Sequence, residues 1–551
     1  CAIIAIIGAR GTRGPTFRDA MRTMSGIWPV EPHENKKVIP MILLGFLMCF
    51  NYSLLRDIKD ILTLDAMPIA VIPWLKFCGV LPASIMTVLV FNKMSTVMSK
   101  PAIFNTFMSV FIAFFALYGL ILLPLKPFIE PGDRWISPTT SSLPNSETSM
   151  NDLPPFLVPL ISIGAYWSTA LLYVMSELWG IIGLSLLFWG FANDICSTSE
   201  AERFYVLFNA GGNLSLIFSG GAYLFVGSTM MDEQYEDRSR GNDQSTYVVL
   251  ALVVVFGLVS MAIYAWMQRH VVTDLRLCRA LDLGRPVNQG SKPTFAQSLS
   301  IVLFNSYILL IGVMVVVYGL AINFVEIYYK DCWSRRFLKR SDLFMFHGKF
   351  AIANGCISML LLVFVGGKSI RVLGWTKTAM ITPITIIATA LPFLTFYIVD
   401  KYSTSFSLDF LVWWGFVTIV LSKSCKYSFF DPVKEMTFIP LGDDRSRAKS
   451  AVDVVGTRFG KAVASVLQLL LQSIFWTFQV SDYVEVLVGL LIISVGSWSI
   501  GTIALGRKYD AMTADATANP HHDDGNRKVW TLATSPINSE TRFHRENTTN
   551  W

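Results

Sequence analysis

The chain has 551 residues, of which 53% are hydrophobic and only 15% are charged, and its mean hydropathy is +0.50. Soluble domains carry about a quarter charged residues. The composition therefore excludes an ordinary soluble enzyme and indicates a membrane protein. The formal net charge of +6 does not indicate nucleic-acid binding, because the basic residues stand in short segments between apolar runs rather than on one polar face.

The first 37 residues form a basic N-terminal tail. Residues 1–28 contain four arginines and a single acidic residue, Asp19. An arginine-rich, acid-poor start resembles part of an organellar targeting segment. A basic tail on the cytosolic side of a membrane would have the same composition, so both interpretations stay open.

Apolar runs long enough to span a bilayer as helices follow in two sets of six. The first set lies at 38–55, 67–91, 102–124, 160–192, 203–227 and 246–267, and the second at 298–325, 344–366, 378–399, 408–430, 451–478 and 481–505. We therefore predict an all-α membrane protein with twelve transmembrane helices in two six-helix halves. This pattern is typical of a major-facilitator-like fold, whose substrate site lies between the halves near the membrane midplane.

The halves span residues 38–267 and 298–505 and are joined by a polar linker, residues 268–297. The linker is rich in arginine, which predicts a cytosolic location. A polar tail follows from 506 to 551. The segment 330–342 is also basic, although the helix count places it on the other side, and we interpret it as an electropositive mouth for incoming anions.

Among the ionisable residues inside apolar runs or at their ends, four stand out: Lys76, Glu177, Glu326 and Lys461. A charge in a span costs about 2.5–3.5 kcal/mol on insertion scales, so each one requires a partner, a wet cavity or a function. On the functional interpretation the two lysines hold the phosphates of an anionic substrate, and the two glutamates pair with them when the site is empty. On the structural alternative, static ion pairs pin the helices together.

Six residues near these runs are weaker substrate-binding candidates. They are Arg56, Lys59, Lys426, Lys434, Asn209 and Asn213. The four basic residues have acidic neighbours at helical spacing, which favours local neutralisation. The two asparagines could hydrogen-bond a nucleobase.

Signatures of competing functions are incomplete. The run GGKS at 366–369 lacks the first glycine of a phosphate-binding loop, because Leu362 stands in its place. The six histidines lie in tails, in the linker or near a span end, which disfavours a metal site. We find no nucleophile and base constellation, so we expect neither an enzyme nor a bound cofactor.

Eight motifs in matching order resemble the ATP/ADP translocases of plastids and obligate intracellular bacteria, the nucleotide transporter family. They are LLRDIKD, IPWLKFCGVLPA, LLYVMSELWG, LLFWGFAND, SEAERFYVLFNAGGNLSLIFSG, YGLAINFVEIYYK, SKSCKYSFFDPVKEMTFIPL and AVDVVGTRFGK, and they cover about residues 28 to 505. The resemblance implies counter-exchange of ATP with ADP, in some relatives also with phosphate. It also implies that the transport-critical charges are Lys76, Glu177, Glu326 and Lys461. A plastid envelope is the location it implies first, with another organelle or the plasma membrane as alternatives.

Two motifs depart from the family pattern. The family's GKSGG reads Gly460, Lys461, Ala462, Val463 and Ala464 here, and its ELWGS reads ELWGI. Nucleotide preference and exchange mode therefore stay open. The alternatives to an antiporter are a broad-specificity importer, or a proton-coupled importer with one of the two glutamates as proton carrier. A polytopic membrane enzyme is disfavoured, and the oligomeric state is left undecided.

Overall fold

The computed structural model of the chain describes residues 30–132, 157–196, 198–229, 244–274, 303–403, 405–438 and 445–518, together with residues 154, 277, 440 and 441. Most of the predicted N-terminal tail, the greater part of the linker 268–297 and the chain after residue 518 lie outside this description.

The described residues form long helices, and no strand is found among them. In chain order the helices are α1 (Asn35–Ala66), α2 (Val71–Val97), α3 (Lys100–Ile129), α4 (Trp167–Ile195), α5 (Thr198–Thr229), α6 (Gln244–His270), α7 (Ser306–Arg336), α8 (Arg340–Val365), α9 (Val372–Ser403), α10 (Leu408–Met436), α11 (Arg445–Ile474) and α12 (Val480–Thr513). Of these, 10 are long and apolar enough to cross a membrane. The all-α, multi-pass membrane fold is confirmed. The count of twelve crossings stays a prediction, because α5 and α11 are not among these ten.

Several helices extend beyond the apolar runs that predicted them. The predicted span 298–325 is α7 at Ser306–Arg336, so Glu326 lies inside the helix rather than at its end. The helix α12 continues past residue 505 into the predicted tail. Hydropathy marks only the apolar length of a helix, whereas backbone hydrogen bonding continues through polar turns.

The two sides of the molecule are identified by the linker. Lys36 lies 3.6 Å from Asp274, and the ammonium of Lys37 donates to the carbonyl of Leu277 at 3.1 Å. The start of α1 and the start of the linker therefore share one side, called here the linker side. The end of α1 and the start of α2, like the end of α7 and the start of α8, lie on the opposite side, called here the far side.

Glycines allow helices of the first half (α1–α6) to touch helices of the second half (α7–α12). A methyl group built on Gly220 of α5 would lie 2.6 Å from the carbonyl oxygen of Gly348 of α8, and one built on Gly348 would lie 2.8 Å from that of Gly220. Small residues at a crossing permit this close approach of backbones in membrane helices. One apolar core runs through both halves.

Candidate functional site

Lys76 stands in a wide, π-helical turn of α2 that spans Leu75–Val80. Pro82 follows this turn, and proline has no N–H to bond the carbonyl four residues earlier. The wider turn accommodates the lost bond. Turns of this kind are frequent at functional sites, because they redirect side chains. The ammonium of Lys76 points to α7, where it donates to the side-chain oxygen of Asn323 at 2.6 Å.

Glu177 stands two residues before another π-helical stretch, Trp179–Phe188 of α4. Its carboxylate lies 3.1 Å from the ammonium of Lys59 on α1. Gly180 is required here, because a methyl group at this position would stand 2.5 Å from the ring of Tyr52. The tyrosine ring therefore packs on the backbone of α4 one turn from Glu177.

Glu326 is paired within the second half. Its carboxylate lies 2.8 Å from the ammonium of Lys423 on α10. Lys76 of the first half lies within electrostatic range of Glu326 and also of Glu177. The predicted charges of the two halves therefore face one region.

Lys461 lies on α11, directly after Gly460, at which α11 closely approaches α7. A methyl group on Gly460 would lie 2.6 Å from the carbonyl oxygen of Val316, so glycine allows the two backbones to approach. The Lys461 side chain is solvent-accessible, yet it interacts electrostatically with Glu177, Tyr52 and Glu326 in the interior. Its ammonium therefore lies near charged and polar groups of both halves.

The ion pairs differ from those predicted. We expected the two glutamates to pair with Lys76 and Lys461, but the structure pairs them with Lys59 and Lys423. Those lysines lie on helices adjacent to the glutamates, and this proximity determines the partner. Among the described residues, neither Lys76 nor Lys461 has a carboxylate within ion-pair distance.

A chain of buried charges extends from Glu177 toward the far side. Lys59 bridges Glu177 and Asp60, and the second oxygen of Asp60 binds Lys330 of α7 at 2.7 Å. Lys59 also lies over the ring of Tyr173, 4.1 Å from its centroid. Sequence reasoning missed Asp60 and Lys330 as members of the cluster, because it took Asp60 as a local neutraliser of its neighbours and assigned Lys330 to the basic segment 330–342.

Of two further members, one had a signal in the sequence and the other had none. Lys423 stands inside the predicted span 408–430, and the criterion of an ionisable residue within a span should have selected it. Asn323 is neutral and carries no such signal. Only the packing of α2 against α7 reveals it.

The weaker candidates divide into two groups. Local neutralisation holds for three basic residues: Arg56 pairs with Asp57, Lys426 with Asp431 and Lys434 with Glu435. Lys59 bonds its neighbour Asp60 but also reaches Glu177, so it belongs to the cluster.

The asparagines lie on α5, away from these ion pairs. Asn213 is buried, and its carbonyl stands at the crossing with α8, 3.0 Å from a methyl group built on Gly355. Asn209 is exposed. In the part of the chain that the structure describes, no hydrogen bond joins either side chain to the charged cluster.

The basic segment 330–342 is not a free electropositive mouth. Four of its five basic residues are paired with carboxylates, which neutralise the segment. The pairs are Lys330 with Asp60, Arg335 with Asp331, Arg336 with Asp409 and Arg340 with Asp65. The physical reason is that α1, α7 and α10 bring acidic residues to the same surface.

Side-chain contacts join the two halves toward the far side. Beyond Lys330–Asp60 and Arg340–Asp65, the ring of His347 lies 3.8 Å from Asp57. The indole of Trp74 donates to the side chain of Gln472 at 3.3 Å. A pocket lined by α1 and its following turn on one side and the end of α7 on the other marks this junction. The far side is therefore closed in this structure.

Comparisons with known proteins agree with this architecture. The family model described as TLC ATP/ADP transporter matches residues 16–509. The chain is 34% identical over 506 residues to ADP,ATP carrier protein 1 of Chlamydia pneumoniae, covering 89% of this chain and 94% of the relative. It is 32% identical over 498 residues to ADP,ATP carrier protein 3 of Rickettsia felis, covering 88% and 96%.

Among solved structures, the chain resembles a bacterial homologue of the iron transporter ferroportin in an inward-facing state. The TM-score is 0.51 at 16% identity, over 85% of this chain and 98% of that one. This likeness concerns the fold alone, and it confirms the major-facilitator-like class. Because the family model and the two carriers match along nearly the whole sequence, the chain belongs to the TLC ATP/ADP transporter family.

Proposed function

We propose that this protein exchanges ATP for ADP across a membrane by alternating access. The observation that carries the proposal is the pair Lys76 and Lys461. One comes from each half, both lie within electrostatic range of Glu177 and Glu326, and neither has a carboxylate partner among the described residues. Two cations in a partly desolvated cavity bind a polyphosphate as point charges. The relatives named as ADP,ATP carriers support this nucleotide assignment.

Alternating access follows from the placement of the site between the halves. Nucleotide held by both lysines would be released to one side or the other as the halves rock around it. Free ATP carries about one more negative charge than ADP, so the exchange moves charge. A membrane potential then biases it by about 2.3 kcal/mol per charge per 100 mV.

Radiolabelled ATP uptake into liposomes preloaded with ADP tests the proposal. We expect Lys76→Ala and Lys461→Ala each to lower exchange by about tenfold to hundredfold, since a hydrogen bond to a charged group contributes about 1.5–3 kcal/mol. Lys93→Ala is the matched control, because Lys93 is an exposed lysine on the same helix as Lys76. Uptake that survives the double Lys76→Ala, Lys461→Ala replacement would refute the proposal that these two lysines bind the phosphates.

The proton-coupled alternative is tested in the same liposomes. Both glutamates that could carry a proton already have lysine partners, at 3.1 Å and 2.8 Å, which favours exchange. We expect a pH gradient to drive no ATP uptake when the liposomes contain no nucleotide. A panel of nucleotides and inorganic phosphate as counter-substrates distinguishes a selective antiporter from a broad importer.

We also propose a plastid envelope as the location, on the basis of the family resemblance. The carriers compared above come from Chlamydia and Rickettsia, so a cell membrane is the competing location. A fluorescent fusion imaged in a photosynthetic cell decides between a plastid rim and the plasma membrane.

A further inference from the structure

The hydrogen bond between Lys76 and Asn323 joins the two halves inside the proposed site. Lys76 is on α2 and Asn323 is on α7, and the distance between the ammonium nitrogen and the amide oxygen is 2.6 Å. Asn323 is buried, with 4% of its surface exposed. This contact is therefore both an interaction of a proposed substrate ligand and a link between the halves.

The side chain of Asn323 is held in one orientation. Its amide nitrogen donates to the carbonyl oxygen of Gly319, one turn earlier on α7, at 2.6 Å. Because an amide has its donors on one atom and its acceptor on the other, this bond turns the acceptor oxygen toward Lys76. Gly319 in turn lies against α11. A methyl group built on Gly319 would lie 3.5 Å from the Cα of Gly460. The same turn of α7 thus contacts both helices that carry the proposed phosphate-binding lysines.

The partner of Lys76 is neutral, whereas the other lysines of the cluster have carboxylates. Lys59 binds Glu177 and Asp60, Lys330 binds Asp60, and Lys423 binds Glu326. A carboxylate adds the Coulombic attraction of a full negative charge to the ammonium, which a neutral amide oxygen does not supply. An arriving phosphate displaces an amide oxygen from an ammonium more readily than it displaces a carboxylate.

We propose, on the basis of the exchange function proposed above, that Asn323 is a positioning residue which couples nucleotide binding to the far-side closure. In the empty carrier it orients Lys76 toward the cavity and holds α2 against α7. When phosphate takes the ammonium of Lys76, this link between the halves is lost. Nucleotide binding therefore loosens the halves, whereas an empty carrier keeps the bond and does not reorient. A ligand shifts such an equilibrium by its differential interaction with the two states.

Two substitutions separate these roles in the full chain reconstituted in liposomes. Asn323→Ser draws the acceptor oxygen one bond back from Lys76 but retains a hydroxyl that can donate to the carbonyl of Gly319. We expect net ATP uptake into liposomes without internal nucleotide to rise about tenfold, the population change that corresponds to one lost hydrogen bond to a charged group. Asn323→Asp places a carboxylate against Lys76, and we expect the KM for ATP to rise about tenfold because phosphate then competes with an anion.

Asn305→Ala is the control for a merely structural effect on α7. The side chain of Asn305 accepts from the backbone N–H groups of Tyr307 and Ile308 and caps the helix. We expect this variant to lower the melting temperature without changing KM or net uptake. Wild-type KM in Asn323→Asp together with background net uptake in Asn323→Ser would overturn the coupling role. If Lys76→Ala and Lys461→Ala still abolish exchange in that case, the proposed function stands without it.

Discussion

At the scale of single residues, Lys59 neutralises two acidic groups at once. Its ammonium lies 2.8 Å from Asp60 and 3.1 Å from Glu177, and its side chain is 3% exposed. Removing one partner of a buried ion pair leaves the other charge uncompensated, which costs more than the pair contributes to stability. Lys59 thus stabilises the carboxylate of Glu177 in its position inside the protein.

We expect Lys59→Met to destabilise the protein by about 3–5 kcal/mol, because Glu177 loses its ion-pair partner and Asp60 keeps only Lys330. Thermal unfolding in detergent measures this as a lower melting temperature. Lys100→Met is the matched control: Lys100 is 70% exposed and pairs with Asp194 at the surface, so its loss should cost less than about 1 kcal/mol. Equal melting temperatures for the two variants would contradict a buried ionic role for Lys59.

At the scale of helices, one face of α7 contacts four of the other helices that form the site. Gly319, Asn323, Glu326 and Lys330 follow each other at spacings of three and four residues, which places them on a single side of an α-helix. They contact or pair with α11, α2, α10 and α1 in that order. A single rigid element therefore sets the relative position of charges from both halves.

The crossing of α5 and α8 supplies a prediction at the scale of helices. We expect Gly220→Ala to lower the melting temperature and the exchange rate, because its methyl group would lie 2.6 Å from the carbonyl of Gly348, and overpacking costs about 1–3 kcal/mol. Gly221→Ala is the control on the same helix. Nothing lies within 4 Å of a methyl group there, and replacing glycine within a helix stabilises it by about 0.5–1 kcal/mol. A Gly220→Ala variant as stable as Gly221→Ala would show that the helices do not cross so closely.

At the scale of the whole molecule, charges close the far side. Asp60 and Asp65 on α1 face Lys330 and Arg340 from the second half. Opposite charges on two bodies hold them together only while the surfaces are in contact, so these pairs must separate when the far side opens. The arrangement stabilises one of the two states that alternating access requires.

Charge reversal tests this closure. We expect Arg340→Asp to oppose Asp65 and to lengthen the distance between spin labels at Ile69→Cys and Leu338→Cys, in a chain without its native cysteines. The double swap Asp65→Arg, Arg340→Asp should restore the short distance. Electron–electron double resonance measures the distribution, and an unchanged distribution in the single variant would show that this pair does not hold the far side closed.

The membrane class, the helices and the four charges Lys76, Glu177, Glu326 and Lys461 were predictable from the sequence. Apolar length is a property of consecutive residues, and the cost of an ion in lipid applies to each residue wherever its helix lies. For the same reason the span ends were wrong by several residues at α7 and α12, since helical hydrogen bonding does not stop where hydropathy falls.

Only the tertiary structure decided which groups meet. Glu177 binds Lys59 rather than Lys76, Glu326 binds Lys423, and Lys76 binds the neutral Asn323. A partner is determined by which helices are adjacent and by how far they are rotated, and neither quantity is encoded in the hydropathy of a single segment. From the sequence alone, the basic segment 330–342 is predicted to be a free cationic surface. In the structure it is neutralised, because folding brings distant carboxylates against it.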